Sequence, residues 1–179
     1  MEAKAKELAV LLHEAYRVQI KNRPKKKKLD VPFAELKADM QLANIAQALR
    51  IPGILRLANM HLEEGNVVPL KDLPVARHIT EDPIRKKLAT PEIRELLGEA
   101  EHNGWMVERM LNEWRYSRVR DDDKKLHDCL IPYSQLTEDT KNFDRWTIIG
   151  CPAPEDEPHK EQFGYVDIVK TVGLRVVMD

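Results

Sequence analysis

His102, Trp105 and Arg109 follow one another at spacings of three and four residues, which on a helix sets them on successive turns of one face. Such a face could line a pocket. An indole offers a surface on which a base stacks, a guanidinium grips a phosphate or carboxylate, and an imidazole bonds a hydroxyl. Trp114, Tyr116, Arg120, His127 and Tyr133 follow in the next stretch of chain and could arrive at the same place from a loop, completing a site suited to a nucleotide-like molecule. The same residues also have a plainer reading. Trp105 and Tyr133 could be core, the preferred reading for Trp105, and Arg109 could pair with Asp144 or Glu101 to hold the fold. For Arg109, Arg120 and His127 both readings stay open, because a fold needs few such polar groups in a loop.

Catalytic patterns are scarce by comparison. The sequence has no Gly-x-Ser-x-Gly elbow, no phosphate-cradling glycine loop and no His-Glu-x-x-His helix, and it holds only seven glycines in all. A metal site made of His127, Asp128 and Cys129 with Cys151 or His159 has poor spacing, since neighbours in an extended segment point to opposite sides. Asp121 to Asp123 read as a solvated acidic turn. No catalytic residue, metal or cofactor is therefore assigned, and a weak hydrolase using His102 or His127 as a general base is kept only as an alternative.

The composition narrows the partners. The chain has 179 residues, a net charge of −1 and 33% charged residues, without the Lys and Arg excess that holds a phosphate backbone, so nucleic acid is not expected. Its 42% hydrophobic content suffices for a core. No apolar run approaches the roughly twenty residues that span a bilayer. The first residues lead into an amphipathic segment rather than a signal-peptide core, so a soluble, cytoplasmic protein without membrane contact is expected. Cys129 and Cys151 read as small buried hydrophobes rather than as a disulfide framework.

Several elements must position the candidate residues. A first helix is expected over Ala3 to Lys21, with Leu8, Leu12, Ala15 and Val18 on one face, then a turn at Asn22 to Pro24 and a charged loop at Lys25 to Lys28. A second runs from Leu36 to Leu49 and ends at Pro52 and Gly53, before an apolar run from Ile54 to Leu62. Residues 65 to 89 read as a connector, with Val67 and Val68 starting a short strand and Pro83 to Leu88 a helical turn. Thr90, Pro91 and Glu92 open the strongest helix, expected to reach Trp114, with Ile93, Leu97, Ala100, Gly104, Val107, Leu111 and Trp114 as its core stripe. Gly104 predicts close packing by another element. An irregular loop follows, then a helix opened by Thr137 and running to Ile149, a loop rich in proline and acidic residues, and a helix followed by a strand over Tyr165 to Val177.

One unit recurs. Pro32, Phe33 and Leu36 return as Pro132, Tyr133 and Leu136; Asp39 and Asn44 return as Asp139 and Asp144 at the same offset; and His13 with Tyr16 resembles His102 with Trp105. Each half would be a helix, a loop entering at Pro-aromatic, and a second helix. Two such units can bury their apolar faces against each other about a pseudo-twofold axis.

Glu101 to Trp105, Glu108-Arg109, Trp114 to Tyr116, Arg120 to Asp122, Lys125 to His127, Leu130 to Tyr133, Leu136, Glu138 and Asp144-Arg145 form a long ordered signature that resembles the ryanodine receptor repeat, or RyR domain. Ser117 and Asp128 depart from it, standing where relatives often carry Gly and Pro. The resemblance implies a mainly α fold with short β-strands, built here from two pseudo-symmetric helix-loop-helix repeats: a degenerate one over 1–64, a connector over 65–89 and an RyR repeat over 90–179. In some bacterial proteins such a pair follows a potassium-channel-type nucleotide-binding domain, which does not precede it in this sequence. In bacteria and their viruses the resemblance suggests a sensor of nucleotide-derived small molecules in defence signalling. The expected function is thus a non-enzymatic small-molecule binding module, with His102, Trp105, Arg109, Trp114, Tyr116, Arg120, His127 and Tyr133 as ligand-binding residues. A protein-interaction or structural adaptor and a weak nucleotide-degrading enzyme are the alternatives, and a homo-oligomer is compatible with each.

Overall fold

The computed structural model describes residues 2–21, 29–73, 81–152 and 162–179. The expected turn at Asn22 to Pro24, the charged loop at Lys25 to Lys28 and most of the proline-rich acidic loop lie outside the described residues. Helix α1 (Glu2–Ile20) buries Ala5, Leu8, Ala9, Leu12 and Ala15 along one face, while Val18 falls off that face and is 40% exposed. Helix α2 (Ala38–Leu57) runs through Pro52 instead of ending there. An interior proline costs about 3 kcal/mol. Ala48, Ile51, Ile54 and Leu55 are all buried on either side of it, and each fully buried aliphatic side chain returns roughly 1.5–3 kcal/mol, so burial outweighs the break.

Asn59, at φ 52°, turns the chain out of α2 into β1 (Met60–Glu64). This strand pairs antiparallel with β4 (Leu174–Met178), Leu62 opposite Val176, so the end of the chain is tied to its first half. Val67 and Val68 do not form the expected strand. The Val68 N–H instead donates to the Lys170 carbonyl at 3.0 Å, and without a continuous partner edge there is no ladder to extend. Helix α3 (Pro83–Leu88) sits where the helical turn was expected and is capped by Asp82, whose carboxylate accepts from the Ile84 N–H at 2.9 Å. Its Arg85 is buried, donating to the Ile149 carbonyl and pairing with the fully buried Asp167.

Helix α4 (Pro91–Leu111) departs from expectation at both ends. Thr90 precedes it without capping it, because the Thr90 hydroxyl donates to the Lys87 carbonyl at 2.8 Å. The helix stops before Trp114, where Glu113 adopts φ 66° and the Trp114 N–H returns to the Arg109 carbonyl at 3.0 Å. The expected core stripe holds only in its first half. Leu97 is buried, whereas Val107 is 57% and Leu111 79% exposed. The buried line passes instead through Leu97, Gly98, Glu101 and His102, so polar side chains occupy positions that the apolar stripe had claimed. Gly104 does mark a close approach: a Cβ there would lie 2.3 Å from Cδ of Arg50, which crosses from α2.

The expected irregular loop holds a small parallel ladder of β2 (Arg115–Tyr116) with β3 (Leu126–His127). Helix α5 (Glu138–Ile149) starts as expected, the Thr137 hydroxyl accepting from the Thr140 N–H at 3.2 Å, and ends at Gly150 with φ 77°. The final stretch is α6 (Tyr165–Ile168), a 3-10 turn (Val169–Val172) and β4, a helix followed by a strand. The fold is mainly α with short β-strands. Among the described residues no helix is long and apolar enough to cross a membrane.

The recurrent unit is visible in the hydrogen bonds. Each half has a 3-10 turn after a proline, Phe33–Glu35 and Tyr133–Gln135, with the Leu36 and Leu136 N–H groups donating back at 3.2 and 3.1 Å. His13 Nε2 bonds the Val31 carbonyl at 2.7 Å and His102 Nε2 bonds the Ile131 carbonyl at 2.8 Å. The two rings approach Phe33 and Tyr133 at 6.3 and 6.0 Å. In both halves, then, a buried helix histidine staples the entering loop in front of the second helix. Helices α1 and α2 pack together, as do α4 and α5, and α2 packs on α4 between the halves.

Candidate functional site

A cavity of about 400 Å³ opens between the two units. Its walls repeat the internal similarity. Leu12, His13, Tyr16 and Gln19 of α1 line it, and so do Glu101, His102, Trp105 and Glu108 at the equivalent positions of α4. Met40, Ala43, Asn44 and Gln47 of α2 are matched in the same way by Thr140, Phe143, Asp144 and Thr147 of α5. The space is therefore lined from both units by equivalent positions of their helices. Its chemistry is lopsided: the α4–α5 wall carries carboxylates where the α1–α2 wall carries Leu12, Gln19 and Asn44.

Arg109 stands on the lopsided side with little to hold it. Its side chain is 13% exposed; Nη1 meets only the Met40 sulfur at 3.4 Å, Nε lies 3.7 Å from the adjacent Glu108 carboxylate, and that Nε closes no hydrogen bond among the described residues. Burial pulls its pKa down, with Glu108 acting against that fall. Burial in turn pushes the Glu108 carboxyl up, with Arg109 and Arg50 opposing that rise. The guanidinium rests 4.8 Å from the Trp114 ring and 5.9 Å from Trp105, so aromatic faces hold it more closely than any carboxylate. It pairs with neither Asp144 nor Glu101.

Those two carboxylates are committed elsewhere. Asp144 lies 3.3 Å from His102 Nδ1. Burial alone would push the imidazole down, but Asp144 and the Ile131 carbonyl outweigh it and hold the His102 pKa above its ordinary value. Burial likewise raises Asp144, with His102 opposing. Both ring nitrogens of His102 are thus engaged by the protein, and the residue acts as a staple with no nitrogen left to serve a reactant. Glu101 accepts from Arg50 Nη2 at 2.8 Å.

Arg120 reaches the rim from the loop and is gripped by Asp122, Nε to Oδ1 at 2.6 Å and Nη2 to Oδ2 at 3.1 Å. His127 is buried beneath Trp105, ring centroids 5.0 Å apart, and its Nδ1 accepts from the Cys129 N–H at 3.0 Å. His127, Asp128 and Cys129 bring ligand atoms within 4.8 Å of one another. However, that Nδ1 lone pair is already taken, and burial pushes the Cys129 thiol up to about 11, keeping it from the thiolate form a metal needs.

Of the eight residues expected to bind ligand, His102, Trp105, Arg109, Arg120 and His127 come together on the cavity wall. The other three lie off it. Trp114 is buried under the Arg109 guanidinium, and Tyr116 is 53% exposed on β2. Tyr133 is core: its hydroxyl donates to Glu95 at 3.1 Å and accepts from Arg145 Nε at 3.2 Å. Sequence reasoning missed the opposite wall, notably Tyr16, Asn44 and Gln47, and the inner residues Arg50 and Tyr165. The repeat itself was the available signal, because a wall containing His102 and Trp105 implies one containing His13 and Tyr16.

Residues 84–151 match the family model of the RyR domain. The match runs from within α3 through α5, including the long signature and every wall residue from Glu101 to Thr147. The segment from within α3 to just past the end of α5 is therefore similar to the RyR domain, as its long signature implied.

Proposed function

We propose that the protein is a non-enzymatic, cytoplasmic binding module whose cavity takes a small anionic, nucleotide-like signal molecule, with the first half acting as a diverged copy of the RyR domain. The observation that carries this reading is Arg109, a desolvated guanidinium that faces an aromatic-lined space without a carboxylate in hydrogen-bond contact. A buried guanidinium whose carboxylate neighbour stands at 3.7 Å and closes no hydrogen bond is only partly compensated, and an anion in the cavity would complete it. A space of about 400 Å³ falls in the range of roughly 300–1,000 Å³ typical of small-molecule sites. The two occupied nitrogens of His102 argue against its use as a general base, which needs one nitrogen within reach of substrate.

The test is a melting series with AMP, ADP and the other ribonucleoside monophosphates. A ligand at about a hundred times its Kd stabilises by about 2.7 kcal/mol, which for a chain of this size raises Tm by roughly 5–10 °C. Arg109→Met should abolish that shift, yet fold as well as wild type to within about 1 kcal/mol, because the lost contacts are a cation over rings and a 3.7 Å ion pair with Glu108 that closes no hydrogen bond. No shift with any member of the series, or an Arg109→Met protein that still responds fully, refutes the proposal. An adaptor role draws on a different observation, the exposed Leu49, Val107, Met110 and Leu111 on α2 and α4. It predicts self-association by sedimentation that Val107→Glu disrupts, with no nucleotide response.

A further inference from the structure

Arg120 brings a second guanidinium to the cavity, on a loop rather than on a helix. Burial lowers the Arg109 pKa most, Glu108 opposes it, and Arg120 lowers it further, so the two cations stand within electrostatic reach and repel each other. Two like charges beside one partly enclosed space are held most favourably with an anion between them. A carboxylate of the chain does part of that work. Asp122 acts on both guanidiniums and grips Arg120 through both of its oxygens, Nε to Oδ1 at 2.6 Å and Nη2 to Oδ2 at 3.1 Å. Asp39 acts on Arg109 and Asp128 on Arg120, each without a hydrogen bond to its guanidinium.

The grip of Asp122 is exchangeable. The Arg120 and Asp122 side chains are 36% and 50% exposed, and an exposed ion pair contributes little. The backbone beneath them is pinned. Asp121 and Leu126 exchange N–H to carbonyl bonds at 3.0 and 2.8 Å, and the Lys125 N–H returns to the Asp122 carbonyl at 3.3 Å, so side-chain torsions alone can part the pair. A carboxylate that forks onto a guanidinium also has the geometry of two phosphate oxygens.

We infer that Asp122 is a resident stand-in for the ligand's phosphate, and that a terminal phosphate displaces it from Arg120 and is held between Arg109 and Arg120. The ligand class is then a nucleotide with a terminal phosphate, which carries close to two negative charges at neutral pH, rather than a phosphodiester, which carries one. The inference rests on the nucleotide reading above; it adds Arg120 as a second grip and Asp122 as its competitor.

Calorimetric titration at neutral pH with AMP, CMP, GMP and UMP, each beside its phosphate methyl ester, tests it. The monophosphate that binds should do so at least about tenfold more tightly than its ester, the worth of one hydrogen bond to a charged group. Asp122→Asn keeps the shape and removes the competing charge, so it should tighten that monophosphate about three- to fivefold, the worth of an exposed ion pair. Arg120→Gln should bring monophosphate and ester to within about threefold of each other, and adding Asp122→Asn to it should gain nothing further. An Asp122→Asn protein that binds the monophosphate no more tightly than wild type makes Asp122 a positioning residue for Arg120 and overturns the inference. Equal affinity of wild type for a monophosphate and its ester also overturns it, and either result leaves the nucleotide reading standing. Absence of binding by all eight compounds overturns both.

Discussion

Replacing His102 by Gln and Asp144 by Asn, singly and together, isolates an ion pair that the second repeat has and the first lacks. The His102 side chain is 3% exposed and the Asp144 side chain 17%, with Nδ1 and Oδ2 3.3 Å apart. Removing either partner leaves the other buried and unpaired, at a cost of about 3–5 kcal/mol. The double variant removes both charges, so the cycle should return a coupling of about 1.5–3 kcal/mol, the range for a hydrogen bond to a charged group. The pH dependence follows from the directions of the shifts. His102 is held above its unfolded value of about 6.5, so its contribution is fully present below that pH and is lost as pH rises through the folded value. Asp144 is raised by burial above its unfolded value of about 3.9, so it too favours the folded state on the acid side and costs stability once it ionises. Urea denaturation at about pH 6 and pH 9 reads the outcome. At the equivalent positions His13 faces a repeat that carries Asn44 in place of a carboxylate. The cycle of His13→Gln and Asn44→Ala should therefore return less than about 1 kcal/mol. A coupling below about 0.5 kcal/mol at pH 6, or one unchanged at pH 9, refutes the account of His102 as a charged staple.

Two further outcomes follow from the packing and the burial. Gly98→Ala gains up to about 1 kcal/mol in helix propensity, but its Cβ would lie 2.7 Å from the Tyr133 hydroxyl oxygen and 3.3 Å from Arg145 Cγ, both fixed by hydrogen bonds. Overpacking of about 1–3 kcal/mol should win, lowering Tm, and Tyr133→Phe should restore part of the loss in the Gly98→Ala background; a stabilised Gly98→Ala protein contradicts this. With its thiol pushed up to about 11, Cys129 in a Cys151→Ala background should react with a disulfide reagent at pH 8 at least about a hundredfold more slowly than a free thiol, gaining about tenfold per pH unit. Rapid labelling at pH 8 contradicts it.

Local chemistry made parts of the fold legible and tertiary burial hid the rest. Asp82-Pro83 and Thr137 act through side chains and backbone within one turn, and both helices start where those residues stand. Pro52 misled because its helix-breaking tendency is local, whereas the burial of Ile51, Ile54 and Leu55 that overrides it depends on α1 and β1 being in place. The α4 stripe misled for the reverse reason. Hydrophobic spacing pointed to Val107 and Leu111, but the side of α4 that meets the other repeat is polar, with Glu101, His102 and Arg109 turned inward. A polar buried face violates apolar patterning, so periodicity locates the helix and assigns its buried side wrongly. Gly104 was readable as a close approach, yet nothing local identifies Arg50 as the group that crosses it.

The position of the cavity explains why the site could not be read from the second half alone. The two units present equivalent positions to the seam, so the space between them is lined twice by the same positions. Drift in one copy then changes the seam without altering the frame, since the histidine staple and the 3-10 turn persist in both. The first copy carries Leu12, Gln19 and Asn44; the second carries Glu101, Glu108 and Asp144, with Arg109 one position beyond the last lining residue of α1's equivalent set. A seam with Leu12, Gln19 and Asn44 on one side, carboxylates and Arg109 on the other, and Arg50 crossing from α2 is polarised, and it suits a ligand with an uncharged planar part and an ionic group, oriented in a single sense. The frame of a repeat does not itself require that asymmetry, because the first unit keeps its histidine staple and 3-10 turn without those carboxylates, whereas Asp144 and Glu101 pair with His102 and Arg50 in the second.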